Sequence, residues 1–241
     1  IPDEELDRFF GIYYDALQNG VEVHITERPK KVGPLLIDID FHFDEGSDDR
    51  RYKDNDIKYI IATTNSILRE YYKWEGKNLS AFVFEKDSAS IKKNTTTGEI
   101  EYKDGFHIVY PFFPASEGMR YLIIHELKTK INDNNGFRHI PYTNSTDEVF
   151  DTSIIRYNGW MMYGSRKHNG PWYKLTKIYN YAFEETDLKK YKHRELVSIM
   201  SNRKFGENDE IPYKEGINRD QLISKVNAIL EQYGVNRKEK K

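Results

Sequence analysis

The stretch LLIDIDFHF, Leu35 to Phe43, limits what this chain can fold into more than any other nine residues. Leu35, Ile37, Ile39 and Phe41 alternate with Leu36, Asp38, Asp40 and His42. A period of two is that of a β-strand, whose successive side chains point to opposite faces. One face is wholly apolar and has to be covered by a core. The other carries two carboxylates on one face, with Cβ atoms roughly 6.5–7 Å apart. Two such acids repel, and one of them tends to protonate. Mg²⁺ or Mn²⁺ reverses that balance, because hard cations take oxygen ligands. The plainer alternative is an edge strand with a solvated acidic face. An EF-hand is excluded, since the sixth loop position counted from Asp38 is Phe43, where that turn needs glycine. The Asp-x-Asp of a nucleotide-sugar transferase fits the tripeptide equally well.

The rest of the chain alternates helix and strand signals. Asp3–Leu17 reads as an amphipathic helix closed by Gly20, and VEVHIT (Val21–Thr26) as a strand. Asn55–Trp74 repeats its apolar residues about every 3.6 positions, as a long helix does. LSAFVFEK (Leu79–Lys86) and FHIVYP (Phe106–Pro111) read as strands, the second stopped by its proline. Between them, a hairpin is expected around Thr97-Gly98. Ser116–Ile131 is helical. WMMYGSRKHNGPWYKLTKIYNYAF predicts two strands joined across His168-Asn169-Gly170. Asp187–Ser201 and Asn218–Tyr233 are helical patterns, with a soft boundary near Asp187. The order predicts a mixed α+β domain over residues 1–186 and a helical extension over 187–241.

Composition narrows the function. The 241 residues contain no Cys, which removes disulfides and any Cys-ligated zinc or iron–sulfur centre. The formal net charge of −2 argues against a simple polyelectrolyte DNA binder but permits a local basic groove. No apolar run approaches the roughly 18 residues of a membrane span. A start at Ile1 and an end in NRKEKK read as a piece of a longer protein.

Two further stretches carry chemistry. In YKDGFHIVYP, Lys103, Gly105 and His107 lie at successive alternate positions at the mouth of an apolar strand. A glycine there admits close backbone approach, and a histidine can donate to a phosphate. The plain reading is a histidine bonded within the sheet. In VFDTSIIRYNGWMMYGSRK, Asp151 follows two apolar residues and Ser165-Arg166-Lys167 comes later. A third carboxylate would complete a metal cradle, and a serine with two cations suits a polyphosphate. The plain reading of Ser165–Lys167 is a solvated turn. There is no Walker A sequence and no Gly-x-Gly-x-x-Gly, so a nucleotide would be held by metal and side chains rather than by a glycine loop.

In order, these stretches read apolar-Asp-apolar-Asp, x-x-His opening a strand, apolar-Asp, then Ser-x-Lys. That series resembles the motifs of the archaeo-eukaryotic primase superfamily, over about residues 32–181. It is most similar to the N-terminal primase domain of the primase–helicases of large nucleocytoplasmic DNA viruses of the poxvirus, asfarvirus and mimivirus type. The resemblance implies an RRM-like catalytic sheet paired with an N-terminal α/β unit, with the site in the cleft between them. It implies that Asp38, Asp40 and Asp151 hold two divalent ions, Mg²⁺ or Mn²⁺. It implies that His107 contacts the phosphates of an incoming nucleoside triphosphate. Ser165 and Lys167 would bind the triphosphate, with Arg166 helping and Lys103 nearby. Many members carry a serine two positions before the motif histidine. Here that residue is Gly105, leaving only backbone N–H groups as donors.

The implied activity is DNA primase or primase-polymerase: nucleotidyl transfer directed by a single-stranded DNA template, for viral DNA replication. The implied partner is a helicase in the same parent chain. The implied location is intracellular, in the host cytoplasm or viral factory. Candidate template contacts are Lys92-Lys93, the run Tyr71–Trp74, and the basic residues from Lys189 to Arg194. For Tyr71–Trp74, ordinary helix packing is the preferred reading. A nucleotide- or DNA-binding module without turnover and a metal-dependent nuclease are the competing functions.

Overall fold

The computed structural model of the chain describes residues 1–44, 46, 50–93, 98 and 100–235. The helices are α1 (Leu6–Gln18), α2 (Asp54–Tyr71), α3 (Glu117–Asp133), α4 (Thr146–Val149), α5 (His193–Ile199) and α6 (Arg219–Gln232). The strands are β1 (Thr26–Glu27), β2 (Val32–Phe43), β3 (Ala81–Glu85), β4 (Ser90–Lys93), β5 (Ile100–Ser116), β6 (Trp160–Met161) and β7 (Lys174–Tyr179). The chain is a mixed α+β protein.

Its main sheet is antiparallel, in the order β2-β5-β3-β7, with β4 pairing the early part of β5. The sequence β2-α2-β3-β5-α3 sets the first long strand beside the third, as an RRM-like sheet requires. The first six residues of β2 are buried on both faces, after which the burial alternates. Leu35, Ile37, Ile39 and Phe41 lie in the main core with Ile57, Ile60, Ile61 and Ile67 of α2. Tyr110, opposite Leu35, donates its hydroxyl to the Ile61 carbonyl of α2. Helices therefore cover the apolar face, and Asp38 and Asp40 project from the other. The amide of Lys53 donates to Asp56 at 2.8 Å, closing the first turn of α2.

A small second sheet pairs β1 with β6. Beside it, Leu6, Phe10 and Tyr13 of α1 form a separate cluster with Met162 and Val197. The C-terminal segment shares the main core, through Leu196, Met200, Ile211, Leu222, Ile229 and Val235. Tyr213 stacks on Tyr72, and Lys225 pairs with Glu126 of α3.

Several expectations need correction. β5 does not stop at Pro111 but continues to Ser116. It passes both prolines because its ladder with β3 has ended by Val109, and its register with β2 shifts between Pro34 and Leu35. VEVHIT forms ladder pairs only at Thr26. Val23 and Ile25 instead bond to residues 162–166. β6 and β7 are not a hairpin, since β6 joins β1 and β7 joins the edge of the main sheet. Gly164, at φ +81°, turns the chain between them, and Ser165 ties it to the N-terminal segment. β4 and β5 do pair as a hairpin, Lys93 opposite Ile100. Thr97 at its tip lies outside the described residues, as do the side chains of Lys92 and Lys93 and the closing NRKEKK.

Candidate active site

The register of the main sheet assembles the site. Asp38 lies opposite His107, and Asp40 opposite Gly105. On the other edge of β2, Phe150 bridges to Ile39, and the Asp151 amide donates to the Asp38 carbonyl at 3.2 Å. Asp151 thus sits beside Asp38 on the side away from His107, on the same face. This edge is extended by Asn144. Its side chain accepts from the His42 amide at 3.0 Å and donates to the Asp40 carbonyl at 2.9 Å, copying a ladder partner.

Asp38, Asp40 and Asp151 open into a cavity of about 730 Å³ between the main sheet and the β1–β6 unit. The same cavity is lined by His107, Lys103, Ser165, Arg166 and Lys167. Gly105 does not line it. A side chain could not be accommodated there, because a Cβ would lie 1.9 Å from the Ile39 carbonyl oxygen. The Gly105 N–H is not offered to a ligand either, since it donates to the Asp104 carboxylate at 2.9 Å. That corrects the expectation of a free backbone donor at this position.

The acids are held under electrostatic tension. The Asp40 carboxyl is raised above the ordinary carboxylate range, first by burial and then by the charge of Asp38. Lys86, His107 and Lys103 oppose that shift. His107 Nε2 is 3.3 Å from Asp38 Oδ1, close enough for an ion pair. It is not aligned to hydrogen-bond, and Asp38 Oδ1 is left buried without a donor. A buried anionic oxygen lacking a donor, beside a second carboxylate and within reach of a third, is a donor set suited to a hard divalent cation. The three carboxylates are not drawn together at one point, however. Among the described residues, they are not a group whose oxygens all lie within 4.8 Å. Asp151 Oδ1 accepts from the Ser153 amide at 2.8 Å, which turns it toward its own loop.

The polyphosphate candidates are likewise partly engaged. The buried Ser165 hydroxyl donates to the Val23 carbonyl at 2.9 Å and accepts from the Ile25 amide at 2.7 Å. Arg166 grips Glu22 with Nε and Nη2, at 2.9 and 2.5 Å. Lys103 lies 3.6 Å from Glu101. Lys167 is exposed and makes no ion pair among the described residues. Of the template candidates, Tyr71 and Tyr72 are buried and bonded to Glu126 and Glu210, so they pack the helix rather than face solvent.

The family model of the C962R protein N-terminal AEP domain matches residues 1–179. The chain belongs to this archaeo-eukaryotic primase family. The chain is 29% identical over 247 residues to a protein of Acanthamoeba polyphaga mimivirus named "Putative helicase L207/L206", covering 98% of this chain. It is 31% identical over 202 residues to "Putative helicase 184R" of Invertebrate iridescent virus 6, covering 76% of this chain. It spans 25% and 20% of the lengths of those two relatives.

Among the lining residues that sequence reasoning missed are Lys86, Tyr173 and Trp160. Lys86, 4% exposed, follows β3 one residue beyond the Glu85–Phe106 pair and is therefore level with Gly105. Burial depresses its pKa, while Asp40, Asp104 and Asp38 oppose that effect. It is the buried cation that answers the acids across a strand with no side chain at position 105. Tyr173 stacks on His107, with ring centroids 3.7 Å apart, and Trp160 lies against the imidazole at 4.6 Å. A signal for Lys86 existed, since a charge ending the apolar run LSAFVFEK needs a partner. Nothing local marked Tyr173 or Trp160. Among the described residues, no helix is long and apolar enough to cross a membrane.

Proposed function

We propose that this domain makes primers by nucleotidyl transfer from nucleoside triphosphates, directed by single-stranded DNA during viral DNA replication. The observation that carries the reading is a single cavity lined by Asp38, Asp40 and Asp151 on one side and by His107, Lys103 and Lys167 around it. Asp38, Asp40 and Asp151 would hold two divalent cations, Mg²⁺ or Mn²⁺. When bound, those cations neutralise the acids and stabilise charge on the attacking and leaving oxygens of the displacement.

The chain's own groups do the rest. His107, fixed between Tyr173 and Trp160, presents an imidazole edge to the triphosphate without rotating away. Lys167, unpaired among the described residues, supplies a point charge to its outer phosphates. Ser165 positions that lysine by pinning the loop to Val23 and Ile25. Arg166 reaches a phosphate only by releasing Glu22. Gly105 keeps β5 close against β2, so that Asp40 and His107 share one cavity wall. Because the domain is a quarter of its mimivirus relative, a helicase segment in the same polypeptide is its natural partner. The site of action is the infected cell, at the viral factory.

The test is synthesis on single-stranded DNA with labelled nucleoside triphosphates and Mg²⁺ or Mn²⁺, with and without a primer. The unaltered chain should yield oligonucleotides, and Asp38→Asn/Asp40→Asn should yield none while melting normally. Nucleotide binding without product, even on a primed template, would instead make the domain a binding module. Loss of template without incorporation would make it a nuclease.

A further inference from the structure

Among the described residues, one group of three metal-ligating side chains has ligand atoms all within 4.8 Å of one another: Glu22, His24 and His168. We propose that these residues form a second metal site, for a zinc-class divalent ion, which ties the loop 165–168 to the N-terminal segment. The site is separate from the carboxylate cradle and does not depend on nucleotidyl transfer.

The donor set points to the class of ion. Two imidazoles and one carboxylate suit zinc and its neighbours, whereas Mg²⁺ prefers oxygen alone. The hydrogen bonding of His24 points the same way. Its Nδ1 is 2.8 Å from the Arg166 carbonyl oxygen, which can only accept. Nδ1 is therefore the donor, so in the neutral imidazole the lone pair is on Nε2, which faces Glu22. This is the orientation that ligating histidines take when a carbonyl holds their other nitrogen. His24 Nε2 lies 3.5 Å from Glu22 Oε1. Two ligands about 2.05 Å from a tetrahedral zinc are about 3.3 Å apart, so this pair is already spaced as an edge of the coordination shell. His168 meets the His24 ring edge-on, with centroids 5.2 Å apart. It has no hydrogen bond or ion pair among the described residues, so its lone pair is free to complete the set.

The backbone that carries these ligands is already fixed. The Arg166 amide donates to the Val23 carbonyl at 3.1 Å, and Ser165 bonds both Val23 and Ile25. Ligands come from both sides of this junction, so little order remains to be imposed when the ion arrives. Arg166 holds both oxygens of the Glu22 carboxylate, Nε donating to Oε1 at 2.9 Å and Nη2 to Oε2 at 2.5 Å, which orients the group so that Oε1 also faces His24. The guanidinium also weakens the site by its charge, so Arg166→Ala should tighten zinc binding. Lys167 lies between the carbonyl that orients His24 and the ligand His168. The ion would thus fix the backbone on both sides of the lysine assigned to the triphosphate.

Calorimetric titration of Zn²⁺ into the 241-residue chain tests this, with X-ray absorption on the zinc-loaded protein. One equivalent with two imidazole nitrogens in its shell is expected. Its affinity should fall at least about tenfold in His24→Ala and again in His168→Ala, and be retained in Asp38→Asn/Asp40→Asn. All three side chains are exposed, so the variants should fold, as circular dichroism would check. Absence of zinc binding to the unaltered chain would overturn the proposal. So would binding that survives both histidine substitutions and disappears with the aspartates, which would put zinc in the cavity instead.

Discussion

Gly105→Ala is the sharpest probe of how the site is built. A Cβ at Gly105 would stand 1.9 Å from the Ile39 carbonyl oxygen, 2.9 Å from its carbon and 3.2 Å from the Asp40 Cα. All three are backbone atoms and cannot rotate away. A carbon normally approaches a carbonyl oxygen to about 3.3 Å, so β5 would have to withdraw from β2 by roughly 1.4 Å. That is more than a quarter of the usual strand spacing of about 4.8 Å, and it strains the ladder at the Asp40–Gly105 pair. Overpacking of this kind costs about 3 kcal/mol. In a chain of this size that is a fall of about 6–12 °C in Tm. Activity should fall further than stability, because a displacement of about 1 Å at a catalytic group can cost about a hundredfold. Gly105→Ser should behave alike, although serine is common at this position in the wider family. Gly11→Ala is the control of opposite sign. It lies in α1 with nothing within 4 Å of its Cβ, and alanine should stabilise that helix by about 0.5–1 kcal/mol. The assay is urea and thermal unfolding beside primer synthesis on the same preparations. A Gly105→Ala protein within about 0.5 kcal/mol of the original and equally active would refute the close approach of the two strands.

Asp38→Asn or Asp40→Asn should each reduce synthesis by at least about a thousandfold while leaving the metal-free Tm unchanged or raised, since a like charge is removed; a large loss of stability would make the acid structural. Lys86→Met combined with Asp40→Asn should show a favourable Lys86–Asp40 coupling of about 1 kcal/mol or more in urea unfolding, and strict additivity would mean the two charges do not interact. Lys167→Ala should raise KM for the nucleoside triphosphate about tenfold with unchanged melting, and an unchanged KM would remove Lys167 from the triphosphate site. Burial lowers the Lys204 pKa to about 8, below its unfolded value, so the stability it contributes is present above about 10.5 and lost as pH falls through about 8. The original chain should therefore gain on Lys204→Met between those limits. The gain is at most about 3 kcal/mol, and less because the Phe112 and Phe205 rings hold the charged form. Urea unfolding across pH 7.5–9.5 measures it, and parallel curves would contradict the burial of the ammonium.

The parts of the site legible in the sequence were those set by local periodicity. β2 announced both its faces because apolar and acidic residues alternate within one strand. His107 and Lys103 followed from the same alternation in β5. What stayed hidden depends on which strands become neighbours. Lys86 answers Asp40 only because β5 lies between β3 and β2, and Asn144 serves as a ladder partner more than a hundred residues from the strand it extends. The expected hairpin across His168–Gly170 failed for a related reason. The residues after β6 bond with Val23 and Ile25, so the competition between local and distant partners went to the distant ones.

That competition also explains what the Ser-x-Lys stretch is bonded to. Its serine is spent on backbone groups of the N-terminal segment, its arginine on Glu22, and only its lysine faces the cavity without an ion pair among the described residues. The N-terminal segment is therefore part of the site's construction. α1 packs under the same loop through Tyr13, whose hydroxyl donates to the Tyr163 carbonyl at 2.9 Å. Detaching residues 1–27 should cost the loop both sets of partners while leaving Asp38, Asp40 and Asp151 on their own sheet. A truncated chain should then keep its carboxylate cavity wall and lose triphosphate affinity. Equal affinity in the truncated and full chains, measured by nucleotide titration, would show that the loop holds its shape without the N-terminal unit.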